Sequence, residues 1–160
     1  MRIVLNAGHT KFGKGTGAVG LLNESIETRK IVGEMMKLLA ETDHEIIPAI
    51  FDKSEDNLKE AVSKSAGADL FISVHLNAGG GHGSEIYSWK GQSSQRATKI
   101  LKNLSELGFA NRGVKDGSKL YVIRHTACTS LLIEVCFVDN KKDFGIYNAE
   151  KVAKAIVDAL

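Results

Sequence analysis

Residues 69–75 read Asp-Leu-Phe-Ile-Ser-Val-His, and this run decides the fold. It is the strongest strand in the chain, with Leu70-Phe71-Ile72 as its apolar centre. Working outward, Arg2–Asn6, Glu45–Ala49, Ser84–Trp89, Leu120–Ile123 and Ser130–Val138 also read as strands. Pro48 lacks an N–H and marks Glu45–Ala49 as an edge strand or its own position as a strand terminus. Helical periods lie between them. Asn23 caps a helix to about Ala40, with Ile31, Met35, Leu38 and Leu39 on one face. Asp56–Ala66 is a helix closed by Gly67, Ser94–Leu107 one ended by Gly108, and Ala149–Leu160 a last amphipathic one. Ala7–Gly20, Ala78–Gly83 and Asn111–Gly117 read as loops. The alternation predicts an α/β fold: a twisted, mostly parallel sheet of about six strands flanked by helices, in a single domain over residues 1–160.

Composition narrows the function. With 21 basic and 19 acidic residues the net charge is +2, which gives no electrostatic case for nucleic acid. No stretch approaches the ~20 apolar residues of a spanning helix, so no membrane insertion is expected. The first apolar run turns polar at Asn6, too soon for a signal-peptide core, so synthesis in the cytoplasm is expected. Cys128 and Cys136 make neither a disulfide framework nor a C-x-x-C knuckle. The glycines at 13, 15 and 17 lack the G-x-G-x-x-G order of a nucleotide loop.

In open α/β sheets ligands bind beyond the carboxyl ends of the strands. His9 follows the first strand, His75 ends the central one, Glu24 opens the first helix, and Glu134 lies within Ser130–Val138. Two imidazoles and a carboxylate suit a catalytic zinc, leaving a fourth position for water. Their spacing is not that of an H-E-x-x-H helix. Each also has a plain structural reading: His9 as a hydrogen-bonded loop residue, His75 as a satisfied core histidine, Glu24 as a helix-dipole partner. Glu134 stands apart, because a carboxylate between Leu131-Leu132-Ile133 and Val135-Cys136-Phe137 is costly unless paired or beside a metal. Cys136, two residues on, reads as a small filler on the same face as Glu134. Glu85 reads as a solvated strand end, and His44, His82 and His125 carry less weight. Tyr87 and Trp89 are either sugar-stacking rings or core.

Ile3-Val4-Leu5-Asn6-Ala7-Gly8-His9, Gly20–Glu24, Ala68–Ala78 and Leu131–Asn140, joined by Arg112–Arg124, carry a resemblance over essentially the whole chain. The chain resembles the Amidase_3 family of zinc-dependent N-acetylmuramoyl-L-alanine amidases. Ser73-x-His75-x-Asn77 and Glu134-x-x-Phe137-x-x-Asn140 are the most specific parts. The resemblance implies that His9, Glu24 and His75 bind Zn2+ and that Glu134 is the catalytic acid/base. The implied substrate is bacterial peptidoglycan, cut between the lactyl group of N-acetylmuramic acid and L-alanine. It further implies a phage endolysin catalytic module that acts on the cell wall after release, with a wall-binding module outside these residues. A bacterial autolysin or sporulation amidase is the alternative. Thr10 and Cys136 stand where glycine is common in the family, and Ala49-Ile50-Phe51-Asp52 replaces a common Thr-Arg. These departures bear on substrate preference and remove no ligand. A zinc carboxypeptidase or deacetylase would use the same ligands. A non-catalytic wall-binding module would not need Glu134.

Overall fold

A computed structural model describes residues 1–160. The strands are β1 (Arg2–Ala7), β2 (Glu45–Ala49), β3 (Leu70–Asn77), β4 (Ser84–Ser88), β5 (Asn111–Asp116) and β6 (Thr129–Phe137). The helices are α1 (Glu24–Leu39), α2 (Asn57–Ser63), α3 (Gln95–Glu106), α4 (Tyr121–His125), α5 (Lys141–Ile146) and α6 (Ala149–Val157). One six-stranded sheet runs in the order β2-β1-β3-β6-β4-β5. β2, β1, β3 and β6 are mutually parallel. β4 pairs antiparallel with β6, and β5 pairs parallel with β4. No helix is long and apolar enough to cross a membrane.

The central run behaves as its composition requires. In β3, Leu70 and Ile72 join the larger core with α1, α3 and α6, while Phe71 faces a smaller core. That smaller core holds Val4, Leu132, Ala61 of α2, and Val122 and Ile123 of α4. Both faces are therefore dry along Leu70–Ile72, which is why that stretch is unbroken in apolar residues. Alternation along β3 then puts Ser73 and His75 on the Phe71 face. Asn23 caps α1 through its side chain, as expected, and the buried stripe is Ile31, Val32, Met35 and Leu39. Leu38 falls just outside that stripe and stays exposed.

Three local expectations are corrected. Asn111–Asp116 is not a loop but edge strand β5, and its polar sequence reflects a strand with one neighbour and little burial. Leu120–Ile123 is not a strand. Its residues lead into helix α4, a reversal to which short β-branched runs are prone. Helix α5, capped by Asn140, fills the stretch between β6 and α6. Finally, Cys136 does not share a face with Glu134. His75 pairs with Glu134 but Asn77 pairs with Phe137, so β6 carries one extra residue there. This bulge turns Val135 and Cys136 together into the larger core and returns Phe137 to the Glu134 side.

Helix α5 pins the second glycine loop. Asp143 is buried, and its Oδ2 accepts from the backbone N–H groups of Gly83 and Phe137, both at 2.8 Å. Asp143→Ala strands two buried donors and should destabilise the fold by about 2–5 kcal/mol. Denaturant unfolding measures this, and an unchanged midpoint would show that the clamp carries no stability.

Candidate metal centre

His9 sits at the end of β1, where Gly8 extends the ladder by one bond, its N–H donating to Val74 O at 2.9 Å. Gly8 must lack a side chain, because a Cβ there would lie 2.4 Å from His75 Cε1. His9 then turns the chain with φ of 67°, a conformation that favours glycine and marks a functional constraint. The loop that follows is held by Thr10, whose Oγ1 donates to Lys14 O at 2.7 Å and whose N–H donates to Gly15 O at 3.1 Å. Thr10 therefore does structural work that a glycine there would not.

Glu24 opens α1 and is buried. Its Oε2 accepts from Ala18 N–H at 2.9 Å, and its Oε1 accepts from Leu76 N–H at 3.1 Å. The same Oε1 lies 3.1 Å from His9 Nε2 and 3.1 Å from His75 Nδ1. The ligand atoms of His9, Glu24 and His75 all lie within 4.8 Å of one another.

The far side of each ring fixes which nitrogen faces this point. His9 Nδ1 is 3.0 Å from Gly15 O, which only accepts, so Nδ1 carries the proton. His75 Nε2 is 3.0 Å from Ser73 Oγ. Ser73 donates its own hydrogen to Asn6 Oδ1 at 2.7 Å, and Asn6 Nδ2 donates to Ala49 O at 2.7 Å. Ser73 must then accept from His75 Nε2–H. Two imidazole lone pairs thus point at one carboxylate oxygen, an arrangement that repels unless a proton or a cation sits among them. The donor chemistry fits a divalent cation with a nitrogen/oxygen preference, and the second nitrogens are tied as metal-binding histidines require. Without metal, His9 bears the strain. Burial works against its protonation, but the hydrogen bond and charge of Glu24 outweigh it and raise its pKa. Burial dominates at His75 and lowers its pKa. For Glu24, burial is outweighed by the two histidines, and its pKa falls well below the ordinary carboxylate range.

Glu134 lies on β6 directly beside His75. Its Oε2 is buried and has no hydrogen-bond partner. Burial, reinforced by the charges of Glu24 and Glu85, pushes its pKa up to about 8. A cleft of about 330 Å3 opens beside Glu134 and His75, lined also by Leu58, Leu120, Tyr121, Val122 and Leu132. Tyr87 lines this cleft, whereas Trp89 lines a separate hollow with Ile123 and Cys128. His44, His82 and His125 are not part of the metal cluster.

Glu85 overturns the expectation of a solvated strand end. It is 3% exposed and sits opposite Glu134 across the antiparallel β4–β6 pair. Its Oε1 accepts from Asn77 Nδ2 and Tyr87 OH, both at 3.0 Å, and its Oε2 from Arg112 Nε at 2.9 Å. Burial and the Glu85 carboxylate push the Tyr87 phenol up to about 12. The signal for this cluster lay in the Ser84-Glu85-Ile86-Tyr87 alternation, which puts Glu85 and Tyr87 on one face.

The family model for N-acetylmuramoyl-L-alanine amidase, Amidase_3, matches residues 3–160. The chain belongs to this family. It is 34% identical, over its full length, to an uncharacterized protein of Clostridium perfringens, covering 51% of that protein. It is 30% identical to N-acetylmuramoyl-L-alanine amidase CwlM of Bacillus licheniformis, over 89% of this chain and 59% of that protein. The chain thus spans about half the length of these relatives. Among solved structures it is similar to the catalytic domain of CD27L endolysin targeting Clostridia Difficile. That match has a TM-score of 0.88 and 29% identity, and covers 99% of this chain and 96% of that one.

The raised Glu134 pKa has a sign. Below about pH 4.5 the carboxyl is protonated folded or unfolded, so its burial costs nothing extra. Between about 4.5 and about 8 only the unfolded form has lost its proton, so stability falls as pH rises through this window. In metal-free protein, Glu134→Gln should gain on the wild type by on the order of 1–3 kcal/mol across it. Parallel pH-dependent unfolding curves would contradict the burial argument.

Proposed function

We propose that this chain is a zinc-dependent N-acetylmuramoyl-L-alanine amidase that cuts bacterial peptidoglycan between the lactyl group of N-acetylmuramic acid and L-alanine. The observation that carries this reading is the Glu134 Oε2 atom, buried and unpartnered beside three convergent ligand atoms. In this reading His9, Glu24 and His75 hold the zinc. Bound there, zinc supplies Lewis-acid polarisation of the scissile carbonyl and lowers the pKa of water.

The chain's own residues do the rest. Glu134 Oε2 takes the proton of the attacking water and delivers it to the leaving alanine nitrogen. A carboxyl raised towards neutral pH suits both halves of that transfer, and an adjacent cation pulls it back towards the ionised form that starts the cycle. Ser73 and Asn6 hold the His75 ring through a relay that ends on the backbone of β2. The apolar wall of Leu58, Val122 and Leu132 excludes water from one side of Glu134.

A glycosidase would need a second free carboxyl across the bond. Glu85 is near, but both its oxygens are taken by Asn77, Tyr87 and Arg112. Membership in the amidase family and the likeness to an endolysin catalytic domain support the amide reading.

Metal analysis paired with wall digestion tests the assignment. His75→Ala should lose most bound zinc, since two ligands hold it poorly. Glu134→Gln should keep zinc but lose about 10²–10⁴-fold in rate. Full zinc in the first variant, or near-full activity in the second, would overturn these roles.

A further inference from the structure

The Glu85 network ends on a side chain that the amidase chemistry leaves unused. Ser84 pairs with Asn111 but Ile86 pairs with Val114, so Arg112 and Gly113 together oppose Glu85 in a bulge. Gly113 takes φ of 81°, which this bulge requires. The bulge aims Arg112 across the sheet end, towards β6.

There the guanidinium is held on one edge and one face. Nε donates to Glu85 Oε2 at 2.9 Å, and Cζ lies 5.0 Å from the centre of the Phe137 ring. Nη1 is 3.5 Å from His82 O, at the limit of a hydrogen bond. Nη2 has no partner among these contacts, and 37% of the side chain is exposed. Arg29, at the β1–β2 end of the sheet, is the contrast: its three nitrogens are committed to Asp52, Ser25 O, His9 O and Phe51 O.

We propose that Arg112 is a carboxylate-binding subsite beside the cleft, next to its lining residues Asn77 and Tyr87 through Glu85, taking the free carboxylate of the acidic residue in the peptide stem. A guanidinium already fixed in its plane presents its remaining N–H groups as a fork, the geometry that matches a carboxylate. Its ordering cost is met before substrate arrives. The Arg112 backbone stands two strands from β6, about 10 Å from that of Glu134, and its guanidinium reaches back towards Glu85 and Phe137. About one to three extended residues span what remains, so the group it takes lies just beyond the cut bond. Glu85 offsets much of the arginine's charge. The gain is therefore one of hydrogen-bond geometry, and about tenfold is expected.

This inference rests on the amidase reading, and the test separates the two. Soluble muramoyl peptides are made that differ only in the acidic stem residue, with its carboxylate free or as the primary amide. They carry no wall phosphate, so the comparison reads the stem carboxylate alone. The wild type should prefer the free acid by about tenfold in kcat/KM, mainly through KM. Arg112→Gln should bring that ratio close to one, and Arg112→Lys should restore it only in part. If Arg112→Gln misfolds by stranding Glu85, the Glu85→Gln/Arg112→Gln double variant removes the buried pair together and should show the same lost preference. A wild type that cleaves both peptides with equal efficiency, or variants that keep its preference, would overturn the subsite while leaving the amidase reading intact. A wild type that frees an alanine amino terminus from neither peptide would overturn that reading and the subsite with it.

Discussion

The carboxylate of Glu24 is the constraint on which the functional end of this molecule depends. It is the first residue of α1, yet it accepts from the backbone of Ala18 and of Leu76 and meets the rings of His9 and His75. Helix, glycine loop and two strands are thereby tied to one pair of oxygens. A buried carboxylate is expensive unless its hydrogen bonds are complete, and two backbone donors already satisfy part of that demand. The two imidazoles add a different pressure, since lone pairs converging on an anion call for positive charge. The fold thus holds a site that is best satisfied when occupied.

The sheet's one antiparallel junction gives the site its second character. Parallel pairing of β3 with β6 brings Glu134 beside His75, and antiparallel pairing of β4 brings Glu85 to its other side. Two carboxylates side by side meet opposite fates. Glu85 collects an amide, a phenol and a guanidinium. Glu134 is left with one buried oxygen that bonds to nothing. Partners, more than burial, separate a structural carboxylate from one available for proton transfer. The β6 bulge completes the arrangement by sending Cys136 into the core, so no thiol faces the cleft beside Glu134.

The central strands, the capped first helix and Glu134, a charge inside a buried strand, were legible in the residues themselves. His9, Glu24 and His75 each had an equally good structural reading, and were set apart by their places at strand ends and a helix start and by the family resemblance. The mixed end of the sheet was not legible. Strand β5 is polar because it lies at an edge, and α4 is a single turn rich in β-branched residues. Glu85 looked solvated because its partners lie 8 residues away at Asn77 and 27 away at Arg112, a closure that only tertiary structure reveals. Neither bulge is visible as periodicity, yet one sends Cys136 into the core and the other brings Arg112 to Glu85.

The most direct measurement is the chemistry of the ends released from purified peptidoglycan. Attack at an amide carbonyl, with Glu134 returning its proton to nitrogen, predicts new L-alanine amino termini and free lactyl carboxylates on muramic acid, with no new reducing sugars. Reducing ends as the main product, free terminal amino acids without separated stems, or acetate would contradict the account even if zinc were found in the site.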